Sequence, residues 1–128
     1  MINKKKILVV DDEADMVTWL EAFFQDNGFD TISASNGTEG VQKAISEKPD
    51  LITLDVSMDR ESGVKALHRL QEAPETSLIP VVIITGVSGD LRRFIDHNKK
   101  LKPPAAFLEK PVDRDELLAK VSKVLGIS

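Results

Sequence analysis

Five short, nearly unbroken runs of aliphatic residues recur along the chain, each followed by a longer stretch with the three-to-four-residue spacing of an amphipathic helix. A strand with one wet face alternates apolar and polar side chains; Ile7-Leu8-Val9-Val10, Leu51-Ile52-Thr53-Leu54 and Val81-Val82-Ile83-Ile84 do not. Runs of this kind are covered on both faces, which calls for a parallel sheet with helices packed on each side. The pattern predicts strands over Lys6 to Val10, Thr31 to Ala34, Leu51 to Leu54, Val81 to Thr85 and Ala106 to Glu109, the second being the weakest. The fold class is therefore α/β, built of five βα units.

The helices between the runs carry their own signals. The first should begin near Asp12 and end before Gly28, since Met16, Val17, Leu20, Phe23 and Phe24 share one face and glycine suits a left-handed exit. Asn36-x-x-Glu39 is a capping box for a second helix that turns Val41, Ala44 and Ile45 inward and ends by Pro49. Val64, Leu67 and Leu70 mark a third, and a fourth around Asp90 to Lys99 is polar and poorly patterned. Asp113-x-x-Glu116 caps the fifth, whose inner face is Leu117, Leu118, Val121, Val124 and Leu125. The connections Ala73 to Pro80 and Lys99 to Pro104 are unusual, the latter holding three lysines and a Pro-Pro pair.

Size and composition narrow the function classes. A chain of 128 residues fills one hydrophobic core rather than two, so a single domain over 1–128 is expected. No apolar stretch approaches membrane-spanning length, and the lysine-rich start runs straight into a strand and then acids, unlike a secretory leader. A cytoplasmic location with no membrane contact is the expectation. The absence of cysteine removes disulfides, thiolate metal sites and cysteine nucleophiles. A net charge of -4 disfavours direct nucleic-acid binding.

Polar residues stand at the carboxyl ends of the apolar runs, where open α/β sheets bind ligands. Asp11 and Asp12 follow the first, Asp55 the third, Thr85 ends the fourth and Lys110 follows the fifth. Crowded carboxylates call for a cation, and a hydroxyl and an ammonium beside them suit phosphoryl oxygens. A carboxylate can itself be the nucleophile and form an acyl phosphate. Taken singly, each residue has a plainer reading: Asp11 and Asp12 as helix-capping acids, Thr85 as an ordinary strand residue, Lys110 as solvated charge.

Together these motifs resemble the response regulator receiver domains of two-component signalling, over essentially the whole length. The resemblance rests on Asp11-Asp12, on Asp55 with Met58 and a Ser62-Gly63 turn behind it, on Thr85-Gly86 and on Lys110-Pro111. It implies a doubly wound, flavodoxin-like (βα)5 fold with strand order 2-1-3-4-5. It implies that Asp55 accepts a phosphoryl group from a phosphohistidine on a sensor histidine kinase or a histidine phosphotransfer protein. Asp12 and Asp55 would ligate Mg²⁺ (Mn²⁺ as the alternative), Asp11 through water, and the Ser57 backbone carbonyl would add a ligand. Lys110 would pair with the acceptor, Thr85 would swing toward the phosphoryl group, and Phe107 would turn inward with it. Pro111 would follow a cis peptide bond. The domain would be a switch that catalyses only its own phosphorylation and dephosphorylation. Its downstream partner or output domain would dock on the surface of the fourth helix, fifth strand and fifth helix, a surface also open to homodimerisation.

The departures are informative. Asp59 stands where the family usually has proline, and Ser57 and Val87 occupy the two positions that flank the path of the water attacking the phosphoryl group. The segment from Thr85 to Lys110 is a few residues longer than usual. Two rivals follow. A haloacid-dehalogenase-type phosphatase needs a second aspartate two residues after its nucleophile, and Asp11-Asp12-Glu13 lacks it. A binding module that keeps the fold without the chemistry rests on Asp59 and the altered fourth helix. His68 and His97 lack partner ligands at metal spacing and are expected on the solvated surface, and Trp19 at the edge of the core.

Overall fold

The aliphatic runs form one five-stranded parallel sheet in the order β2-β1-β3-β4-β5, flanked by five helices. The computed structural model describes residues 4–56, 60–86 and 88–127, the backbone alone at 60, 61 and 88–90. Strands are β1 (Lys6–Val10), β2 (Asp30–Ala34), β3 (Leu51–Asp55), β4 (Val81–Thr85) and β5 (Ala106–Glu109). Helices are α1 (Ala14–Asp26), α2 (Gly37–Glu47), α3 (Arg60–Glu72), α4 (Ser88–His97) and α5 (Arg114–Leu125).

Alternation within each strand explains why the runs look continuous. Leu8, Val10, Ile52, Leu54 and Ile83 meet α2, α3 and α4 on one face, while Ile7, Val9, Leu51, Val82, Ile84 and Leu108 meet α1 and α5 on the other. Each fully buried aliphatic side chain contributes about 1.5–3 kcal/mol, so the two apolar layers hold the sheet between them. Leu20 and Phe24 of α1 and Leu117 and Val121 of α5 close the second layer. Among the described side chains of α4, Leu91 and Ile95 alone reach the first, which is why that helix is so faint in the sequence.

Three local details depart from the sequence expectation. Helix α1 starts at Ala14 rather than Asp12, because Asp11 turns its Oδ1 to accept the Glu13 N–H at 2.9 Å and so holds residues 11–13 in a loop. Ser62 and Gly63 lie inside α3 rather than in a turn, and Gly63 lets the helix approach β3 closely: a Cβ there would stand 2.5 Å from Val56 Cγ1. In the α2 capping box Asn36 Oδ1 accepts the Glu39 N–H at 2.8 Å, but Glu39 reaches back to the N–H of Ser35 rather than of Asn36.

Both unusual connections are tied down. Buried Thr76 donates to the Leu70 carbonyl at 2.7 Å, and the Gln71 amide clasps the Lys102 backbone with two bonds of 2.8 and 3.0 Å. Leu101 then plugs the first apolar layer. Among the described residues no helix is long and apolar enough to cross a membrane.

Candidate functional site

The register sets the site before any side chain is considered. Val10 pairs with Leu54, so Asp11 and Asp55 emerge side by side from adjacent central strands. Alternation puts them on the α1/α5 face with Val9 and Thr53, and Lys110, two residues beyond Leu108, comes over the same edge. Thr85 lies on the opposite face with Ile83, and Ile83 pairs with Phe107 on the neighbouring strand.

Four carboxylates converge. One oxygen from each of Asp11, Asp12, Glu13 and Asp55 lies within 4.8 Å of the others, Asp11 and Asp55 being buried and Asp12 and Glu13 exposed. Lys110 Nζ donates to Asp55 Oδ2 at 2.7 Å and stands 3.7 Å from Glu13 Oε1. Its backbone N–H donates to the Thr85 carbonyl at 2.9 Å, which locks the ends of β4 and β5 together. Thr85 is itself only 2% exposed.

The electrostatics are those of an under-compensated acid cluster. Burial pushes the Asp11 carboxyl up to about 6; the Glu13 N–H opposes this, the Asp55 charge reinforces it, and Lys110 offsets it in part. Burial pulls the Lys110 ammonium down, but the Asp55 hydrogen bond and the charges of Asp55, Asp11 and Glu13 outweigh it and leave its pKa raised. Asp11 Oδ2 is buried with no hydrogen-bond partner among the described residues. A buried acceptor without a donor, facing three more carboxylates around one lysine, has the chemistry of a hard divalent-cation site, and these oxygen donors fit one.

The Lys110–Pro111 peptide is cis. Phe107 is half-buried in β5, with the Arg92 guanidinium of α4 4.7 Å above its ring and its carbonyl accepting from Lys120 Nζ of α5 at 2.6 Å. Ser57, Asp59, Val87 and Met58 lie outside the described residues. His68 faces Glu72 at 3.6 Å and His97 Nδ1 meets the Arg93 carbonyl, and neither joins the carboxylate cluster. Trp19 stacks on Phe23 at the edge of the core and lines a groove with Glu13, Met16, Lys110 and Pro111. Glu13, Arg92 and Lys120 were not singled out from the sequence. Glu13 had a signal in its place after two strand-end acids, whereas the other two reach Phe107 only through helix packing.

Residues 7–122 match the family model described as the response regulator receiver domain. The chain is 33% identical to protein PilH of Pseudomonas aeruginosa over 94% of its own length and 98% of PilH. It is 34% identical to sporulation initiation phosphotransferase F of Bacillus subtilis over 99% and 98% of the two chains, and spans about half of a longer transcriptional regulator of the same species. Among solved structures, the receiver domain of the Pseudomonas aeruginosa sensor histidine kinase PA1611, which carries a magnesium ion coordinated in its active-site cleft, superposes with a TM-score of 0.81. That likeness is one of fold, at 22% identity over 97% of this chain and 99% of that one. With the sheet order, the acid cluster and the family match in agreement, the chain belongs to the response regulator receiver domains of two-component signalling.

Proposed function

We propose that the chain is a phosphorylation switch in which Asp55 accepts a phosphoryl group from the phosphohistidine of a sensor kinase or histidine phosphotransfer protein. A carboxylate oxygen of Asp55 attacks phosphorus, the phosphorus–nitrogen bond breaks, and the imidazole leaves with the electron pair. The observation that carries this reading is the 2.7 Å bond from Lys110 Nζ to the buried Asp55 carboxylate inside a cluster of acids. Lys110 holds the acceptor oriented and remains beside the phosphoryl oxygens once transfer has occurred.

Asp11, Asp12 and Asp55 would hold Mg²⁺, or Mn²⁺ in its place, with the Ser57 carbonyl as a further ligand by family likeness; the partnerless Oδ2 of Asp11 supports this set. Bound there, a divalent cation neutralises the carboxylates and the phosphoryl oxygens. Thr85 would report the modification toward β5, a reading supported by its sharing a sheet face with Ile83, the strand partner of Phe107. Loss of the group by water attack falls to the surroundings of Ser57, Asp59 and Val87. The α4-β5-α5 surface serves the downstream partner or output domain, or a second copy, and the cytoplasm is the expected compartment.

Incubation with acetyl phosphate and Mg²⁺ followed by intact mass tests the reading. Wild type should gain the mass of one phosphoryl group and Asp55→Asn none. An unmodified wild type under conditions that preserve acyl phosphates makes the chain an inert member of its family.

A further inference from the structure

Phe107 of β5 is held by both helices of the α4-β5-α5 surface, its ring by one and its backbone carbonyl by the other. Arg92 of α4 lies over its ring at 4.7 Å, and Lys120 of α5 holds its carbonyl at 2.6 Å. The same strand ends in Lys110, three residues on, which is bonded to Asp55. Phe107 also pairs with Ile83, two residues before Thr85 on the same sheet face. A change at Asp55 is therefore one short strand away from a ring whose position α4 can sense.

We infer that Arg92 is a positioning residue for Phe107: its guanidinium holds the ring in its present half-buried place, so that displacement of the ring toward Thr85 must break the cation–π contact and free α4. This inference rests on the proposed role of Asp55. The contact is directional, since the ring face attracts the cation only while the two are stacked. Lys120 acts differently, fixing the backbone at residue 107 while leaving the side chain free to turn. The pair together makes β5 a hinged element with a fixed carbonyl and a clasped ring. Exposed cation–π pairs shift an equilibrium by about two- to fivefold, enough to tune a switch without blocking it.

The test uses the full chain labelled with fluorophenylalanine, in which the Phe107 resonance is assigned among five phenylalanines by its loss in Phe107→Leu. In unphosphorylated protein, Arg92→Met should move that resonance and Arg92→Lys, which keeps a cation, should leave it near the wild-type position. The rate of modification by acetyl phosphate should rise about two- to fivefold in Arg92→Met and not rise when the same change is made in Phe107→Leu. An unmoved resonance in Arg92→Met, or an equal rate increase without the Phe107 ring, overturns the inference. If wild type takes no phosphoryl group, the proposed function fails, and the fluorine spectrum alone still decides whether Arg92 positions the ring.

Discussion

Replacing Asp11 with asparagine should make the metal-free protein more stable. The side chain keeps its size and its bond to the Glu13 N–H but loses the charge that burial and Asp55 penalise. The Asp11 carboxyl is raised from 3.8 to about 6 in the fold. The native state thus binds a proton more tightly than the unfolded chain. Between those two values it carries more protons, and stability falls as pH rises through the window. Each unit is worth about 1.4 kcal/mol, so the penalty above the window has a ceiling of about 3 kcal/mol. Urea unfolding followed by circular dichroism, with a chelator present, should show Asp11→Asn about 1–3 kcal/mol more stable at neutral pH and nearly equal to wild type below the window. A saturating divalent cation should reverse the ranking, since at a hundredfold excess over Kd a native-state ligand stabilises by about 2.7 kcal/mol and the variant lacks one carboxylate to hold it. A variant less stable than wild type at neutral pH, or a gain that persists in acid, would refute the claim that Asp11 is an under-compensated buried charge.

Thr53 is buried beneath Asp55 with no partner for its hydroxyl among the described residues, so Thr53→Val should stabilise the fold by about 1 kcal/mol. A lower urea midpoint for that variant would mean that the hydroxyl is satisfied. Gly63→Ala should destabilise by about 1–3 kcal/mol, because its Cβ would stand 2.5 Å from Val56 Cγ1 and 3.0 Å from the Val56 Cα, a backbone atom at the end of β3. Thermal unfolding checks this, and a rise in Tm, as helix propensity alone would give, contradicts it.

The sheet was legible because burial on two faces leaves no polar alternation: Val81 to Ile84 has no reading as a wet strand, and β4 falls where that run stands. Helix α5 was legible from its cap, with Asp113 accepting the Glu116 N–H at 2.9 Å. The start of α1 was less so, because Asp11 makes a local turn with Glu13 that competes with the helix, and two acids before an apolar stripe look the same either way. Helix α4 was faint because, among its described side chains, Leu91 and Ile95 alone enter the core, too short a stripe to stand out as a period. The acids, Thr85 and Lys110 could be found because each sits directly beyond an apolar run, a position that the sheet turns into proximity. Arg92 and Lys120 could not, since their contacts with Phe107 depend on how α4 and α5 lie against β5. Gly63 was visible as a motif residue, but its reason, the approach of α3 to Val56, exists only in three dimensions.

The central claim, that Asp55 is the acceptor, is tested most directly by chemistry at that residue. An acyl phosphate is reduced by borohydride to the corresponding alcohol, so protein treated with acetyl phosphate and Mg²⁺, then reduced and mapped by peptide mass, should contain homoserine at position 55 and at no other aspartate. Homoserine at position 11, 12 or 59, or none at all, contradicts the account.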